Sequence, residues 1–310
     1  MEFLKNPHFD FLGKTKYFVT LSILFIAGGI ATIATRGIRT GVEFSGGSQL
    51  IVMFANAPEV DHVRSAVDKE TSGAVIQTYG DAAKHQVLIR VAGGADTDLS
   101  AQAKRVLQSI ATNYAQNPVT ESSSEIVGPI VGRDLTQKAI QLTCFGLLFQ
   151  LIYIWIRFKG VIWGTAASLA ALHDVLICLG FLAFFNYEIT LNVIAALLTL
   201  VGYSVNDTIV IFDRARENLR QRRKEPLAKV LNDSVNQTLT RTLIANGTTF
   251  LSVFGLYVFG GEALRSFGFT MVIGILVGTY STIFIATPIV VWWQGLSQGR
   301  QKPASVRAAL

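Results

Sequence analysis

Apolar positions in this chain gather into six runs: Tyr17 to Thr35, Ala139 to Ile156, Val161 to Phe185, Ile189 to Phe212, Thr242 to Gly260 and Phe267 to Trp293. About 20 apolar residues in helical form cross roughly 30 Å of hydrocarbon, so each run predicts a transmembrane helix. Between the first and second runs the pattern changes. Short segments read as strands at Ser48 to Phe54, Ala74 to Tyr79, Gln86 to Val91 and Thr120 to Ile126, the two middle ones separated by the turn-like Gly80 to Lys84. Helical spacing predicts helices at Val60 to Thr71 and Leu99 to Asn113, the latter with Ala103, Val106, Leu107 and Ile110 on one face. The order βαββαβ is a ferredoxin-like pattern, which hosts many unrelated functions.

The fold class expected is therefore a polytopic α-helical membrane protein, with one α+β ferredoxin-like extracytoplasmic domain between transmembrane helices 1 and 2. Residues 1–35 hold the cytoplasmic N-terminus and helix 1, and residues 36–138 the domain. Residues 139–294 hold helices 2 to 6 with a basic cytoplasmic loop at 213–241, and residues 295–310 form a cytoplasmic tail. Composition agrees: half the residues are hydrophobic, 15% are charged and the mean hydropathy is +0.42, too apolar for a soluble globule of 310 residues. The first run follows Lys14 and Lys16, as the core of a signal peptide would. It is longer than the usual 7–15 residues of such a core and lacks a small-x-small cleavage site.

The net charge of +6 admits a nucleic-acid partner. Its densest cluster, Arg214, Arg216, Arg220, Arg222, Arg223 and Lys224, directly follows a span and reads instead as a topology signal, so no nucleic-acid partner is expected. Threading six helices places that cluster on one side with Lys5, Lys14, Lys16, Arg157, Lys159, Arg300, Lys302 and Arg307, which makes that side the cytoplasm. The opposite short loops carry no cation (Asn186 to Glu188) or only Arg265 (Gly261 to Ser266). Trp155, Trp163, Trp292 and Trp293 fall at the cytoplasmic ends of spans, as an aromatic belt requires. The segment Pro226 to Thr240, with Leu227, Val230, Leu231, Val235 and Leu239 at helical spacing, reads either as a surface amphipathic helix or as an extension of span five.

Chemistry is sparse. No catalytic Ser, His and Asp arrangement, HExxH or phosphate-binding glycine loop is present, which argues against an enzyme. Cys144 and Cys178 lie in apolar runs without neighbours at ligand spacing, so neither a disulfide framework, a metal nor a cofactor is expected. A charge in the bilayer costs about 2.5–3.5 kcal/mol on insertion scales, which singles out His173 and Asp174 in span three, and Asn206 with Asp207 in span four. Asp174 falls about 20 Å along its helix, near the middle. Asp207 falls in the cytoplasmic half, at a depth close to Arg241 at the entrance of span five. A carboxylate there can take or release a proton: burial raises its affinity for the proton and a neighbouring guanidinium lowers it, which is the basis of a relay. The plainer reading has Asp207 bonded to Asn206 or Thr208, with Arg241 reaching lipid head groups. Gly247, Thr248, Thr249, Gly268, Gly274 and Gly278 permit close helix approach, Gly274 and Gly278 as a GxxxG.

Gly41-Val42-Glu43-Phe44-Ser45-Gly46-Gly47, His173-Asp174, the run Ala195 to Asn218 (AALLTLVGYSVNDTIVIFDRAREN), VNQTLTRT at 235–242 and GILVGTYSTIFIATP at 274–288 resemble, in order and spacing, the SecF family of protein-export membrane proteins. Phe44, Gly46 and Gly47 match the family's F-S/T-G-G element. The resemblance implies a member of the resistance-nodulation-division superfamily, with six helices and one periplasmic domain. It implies pairing with SecD and work on unfolded preprotein at the SecYEG channel, with YajC a further candidate partner and protons as the driving ion. The family's proton-path Asp matches Asp207 and its partner Arg matches Arg241. Glu43 stands where many members have Asp, and Thr240 where Ser is common. A drug or lipid exporter of the same superfamily would normally carry a second six-helix half and a second large domain; a scaffold of the channel would tolerate a neutral residue at position 207.

Overall fold

In the computed structural model, residues 7–80, 82–92, 98–158, 161–222 and 224–299 are described; Lys5, Asp81, Lys159, Arg223, Arg300, Lys302 and Arg307, and the tail beyond 299, lie outside them. The chain runs α1 (Thr15–Arg36), α2 (Val42–Ser45), β1 (Gly47–Phe54), α3 (Val60–Val67), β2 (Val75–Tyr79), β3 (Gln86–Ala92), α4 (Leu99–Asn113), β4 (Val119–Val127), α5 (Pro129–Phe158), α6 (Val161–Phe184), α7 (Leu191–Gln221), α8 (Leu227–Phe259), α9 (Gly261–Ser281), a π-helical turn (Thr282–Ala286) and α10 (Thr287–Gly299). Six helical stretches are long and apolar enough to cross a membrane: Leu12–Arg36, Val131–Arg157, Val161–Phe184, Leu191–Gln221, Leu227–Phe259 and Leu264–Gln294. All six expected runs are present. Their polar overhangs are longer than the hydropathy pattern implied, because a helix continues past the apolar run wherever a neighbour satisfies its surface.

The extension of α8 illustrates this. Of the two readings of Pro226 to Thr240, the structure takes the second, one continuous helix to Phe259. Its apolar face buries Val230, Leu231 and Val235, while Asn232 and Asn236, one turn apart, bind the backbone of Phe9 and Phe11 and strap the N-terminal segment beneath the bundle.

The four strands order as β2-β3-β1-β4, all antiparallel. The predicted strand edges are off by at most one residue, but α3 ends at Val67 rather than Thr71. Leu50, Val52, Ile76, Val87, Ile89 and Val91 pack on Val63, Ala66, Val67, Ala103, Val106 and Ile110, so both helices cover one sheet face. The opposite face presents Gln49, Arg90 and Glu125 in a cross-strand row. The glycine pair before β1 is required by backbone geometry: φ is 70° at Gly46 and 136° at Gly47. A side chain at Gly132 of α5 would meet the Gly46 backbone at 3.1 Å, so α5 starts hard against this turn.

In the bundle, α6, α7 and α9 carry the buried centre, whereas α1, α5 and α8 are largely exposed. Small residues set the crossings. A Cβ at Gly29 of α1 or Gly180 of α6 would lie 2.8 Å from the other's Cα, and one at Gly274 would lie 2.6 Å from Leu200. Gly268 backs onto Tyr257, while Gly247 faces open space. Gly180→Leu is expected to drive α1 from α6 and to lower stability by about 1–3 kcal/mol, the usual cost of overpacking. Thermal unfolding in detergent measures it, and an unchanged melting temperature would mean that the crossing does not hold α1.

Near its end α9 passes through a π-turn followed by Pro288. Proline lacks the N–H for a bond to residue 284, and its ring crowds that carbonyl, so the helix widens by one residue. The Thr287 hydroxyl donates to the Thr282 carbonyl at 2.9 Å and closes the wide turn.

Candidate functional site

Two polar clusters lie in the bundle on adjacent faces of α7 and α9. The first centres on Asp174, which is fully buried. One carboxylate oxygen accepts from His173 Nδ1 at 2.9 Å. The other accepts from the hydroxyls of Ser204 on α7 at 2.5 Å and Ser281 on α9 at 2.9 Å. Tyr280 bonds His173 Nε2 and Ser22 of α1, each at 3.1 Å. A bonded chain thus crosses from α1 through α9 and α6 to α7. Gly278 is small because Ser204 and the Asp174 carboxylate lie 3.2 and 3.6 Å from where its Cβ would be.

The second cluster centres on Asp207, 7% exposed. Its carboxylate accepts from the Asn246 side-chain amide of α8 at 2.5 Å. The same amide nitrogen donates to Thr279 of α9 at 2.9 Å, and the Asn246 carbonyl oxygen accepts from Tyr203 at 2.8 Å. Between the clusters, Thr208 and Thr282 bring their hydroxyls to 3.2 Å.

The predicted residues are therefore divided. His173 and Asp174 share one cluster and Asp207 anchors the other. Arg241 is exposed on α8; among the described residues it makes no ion pair with Asp207, although its charge acts on that carboxylate from nearby. Asn206 points away from both clusters and is exposed. Thr208 bonds Ser204 and Thr282, so neither Asn206 nor Thr208 holds Asp207. Asn246, Ser204, Ser281, Tyr280 and Ser22 were not picked out by charge, since all are neutral.

A third junction joins the domain to the bundle. Ile189, in the α6–α7 loop, exchanges backbone bonds with Arg39 and Gly41 at 2.9 Å each. Glu188 pairs with Arg90 of β3, whose Nε also donates to Gln49 at 3.1 Å. Arg39, Gln49, Arg90 and Glu188 line a cavity of about 720 Å³ between the open sheet face and the bundle. Phe44, of the motif preceding β1, accepts a long bond of 3.4 Å from Thr136 of α5 through its carbonyl.

Glu43 lines this cavity as well, and its pKa is raised, mainly by burial, with Glu125 and Glu188 adding to the effect. A raised value in the fold means that folding favours the protonated form. The contribution is therefore complete at low pH and fades as pH climbs above about 4.3 through the raised value. Glu43→Gln is expected to flatten this part of the pH dependence of thermal unfolding. An identical pH profile in the variant would remove Glu43 as its source.

Comparison with known proteins places these clusters in context. The family model for "Protein export membrane protein SecD/SecF, C-terminal" matches residues 106–296. The chain is 40% identical to the protein translocase subunit SecF of Calditerrivibrio nitroreducens, over 94% of this chain and 96% of that one. It is 34% identical to the SecF of Koribacter versatilis, over 95% and 94%. Among solved structures it is similar to SecDF of Thermus thermophilus, a translocon-associated membrane protein, with a TM-score of 0.82 and 32% identity. That match covers 94% of this chain but only 39% of the SecDF chain. A super-membrane-facing form of SecDF gives a TM-score of 0.70 at 33% identity, covering 96% and 40%.

Proposed function

We propose, from the premise that this chain belongs to the SecF family of protein-export membrane proteins, that it uses the proton motive force to assist late-stage export of unfolded preproteins as a subunit of a SecDF complex of the Sec translocase. It resides in the bacterial inner membrane with both termini cytoplasmic, an orientation supported by Lys14, Lys16, Arg157 and the cations after α7. Its partners are SecD, which supplies the part of SecDF that this chain does not span, and the SecYEG channel, with YajC a further candidate.

The observation that carries this reading is Asp207, a carboxylate inside the bundle whose bonded partner is the neutral amide of Asn246 and whose nearby cation is Arg241. An ionised carboxylate so placed gains from a guanidinium drawn toward it, and a protonated one does not. Protonation therefore changes the preferred spacing of α7 and α8. His173 and Asp174 hold the adjacent face of α7, through Ser204, and extend the set of groups that can accept a proton; Asn206 lies outside it. The two segments flanking the domain and the Ile189 bridge carry movement of α7 outward.

The test is reconstitution of the channel, SecD and this chain in proteoliposomes, with ATP withdrawn once a preprotein is partly across and a proton gradient then imposed. Completion of translocation is expected only with both the gradient and the chain present. Equal completion by vesicles lacking the chain would leave it a scaffold at most.

A further inference from the structure

Beyond the two membrane clusters, the cytoplasmic end of the bundle holds a second kind of site. Asp213, Arg216, Glu217 and Arg220 stand at i, i+3, i+4 and i+7 on α7, so they form one stripe down the part of the helix that overhangs the bundle. The stripe and Arg157, at the end of α5, line a pocket of about 330 Å³. The opposite side of the α7 overhang is taken by α8, through Asn218 with Ser234 and Arg222 with Asp233.

The charges in the pocket do not balance. Asp213 is paired with Arg157, and Glu217 with Arg214. Among the described residues neither Arg216 nor Arg220 has a hydrogen-bond or ion-pair partner, and Arg216 is half-buried. Two guanidinium groups at i and i+4 repel each other, and a half-buried one without a counter-ion is costly. An anion between the two groups would relieve that repulsion, and two planar forks suit a phosphate.

What lies beside the pocket indicates where that phosphate is attached. The turn of α5 just above Arg157 exposes Ile152, Tyr153, Trp155 and Ile156 on a membrane-spanning helix. An acyl chain can lie along this apolar face while its head group enters the pocket, with the aromatic rings at the boundary. We propose that Arg216 and Arg220, with Arg157, form a binding site for the phosphate head group of an anionic phospholipid. The site sits where α5 and α7 meet and bridges the two helices. It is separate from the proton-handling clusters and does not depend on that reading.

The test uses the full chain in mixed micelles and the fluorescence of Trp155, quenched by brominated phosphatidylglycerol or brominated phosphatidylcholine; the W155F variant isolates its signal from the other tryptophans. Wild-type protein is expected to prefer phosphatidylglycerol about tenfold at Trp155, in line with the attraction of a basic residue to an anionic surface. R216Q/R220Q is expected to bring the ratio to about one. K224Q, which removes a cation outside the pocket, should leave it unchanged, and R216K/R220K, which keeps the charge but not the forks, should fall between. Equal quenching by the two lipids in wild type overturns the proposal, as does an equal loss in K224Q, which would signify diffuse surface charge. Loss of the preference on adding inorganic phosphate at 0.15 M constant ionic strength would assign the pocket to a soluble phosphate and overturn the lipid assignment. Should R216Q/R220Q misfold, the lysine variant and the wild-type lipid ratio still decide.

Discussion

Replacing Asp207 by asparagine is expected to reduce gradient-driven completion of translocation to the level seen with an uncoupler, while leaving the protein folded. Asparagine keeps an oxygen in place to accept from the Asn246 amide, so the geometry of the second cluster is retained. What disappears is the titratable group and the negative charge on which Arg241 acts. Positioned proton-transfer groups typically contribute about 10²–10⁴-fold in rate, so the loss should be large rather than graded. Asn246→Ala makes the complementary change, since it leaves the carboxylate but removes its donor; it is expected to shift the pH at which the activity is half-maximal rather than abolish it. Full gradient-driven activity in D207N vesicles would dispose of the relay.

The second large effect is structural. Asp174→Ala removes the common acceptor of Ser204, Ser281 and His173 from a site without exposed surface. Buried donors left without partners cost about 1–3 kcal/mol each, and a neighbouring void adds to this, so a loss of about 3–5 kcal/mol is expected. Asp174→Asn still offers one oxygen to both serines and should lose less than half as much. Equilibrium unfolding in mixed micelles gives both values, and equal stabilities for alanine and asparagine would mean that the serine bonds do not hold α7 and α9 to α6. Gradient-driven activity of the asparagine variant then separates the two roles of Asp174: a merely structural carboxylate would leave it near wild type.

Much of this architecture could be read from the chain. Six apolar runs of that length and hydropathy point to spans, and the expected strands of the domain have edges within a residue of those observed. The charged members of the clusters were visible because ionisable residues in apolar runs are rare. Their neutral partners were not: many Ser and Thr in these helices bond only the carbonyl four residues back, as Thr143, Ser168 and Thr199 do. Nothing in Ser204 or Ser281 distinguishes them from those in sequence. Depth brought Asp207 and Arg241 to the same level, yet depth does not set rotation. Asn246 lies five residues beyond Arg241, about 140° around the helix, and it is the amide that faces α7. The bond between Glu188 and Arg90 joins the six-residue loop at 185–190 to a strand almost a hundred positions away, and no local pattern announces such a pair.

The Ile189 bridge has a mechanical meaning. Its loop continues directly into α7, and Asp207 stands 16 residues further along the same helix, roughly 24 Å away. On the proposed role of Asp207, a helix whose tip is clasped by the sheet domain passes displacement on undiminished, whereas a domain hung from slack tethers would absorb it. Removing the clasp while keeping Asp207 is then expected to leave proton binding intact while the domain no longer follows α7.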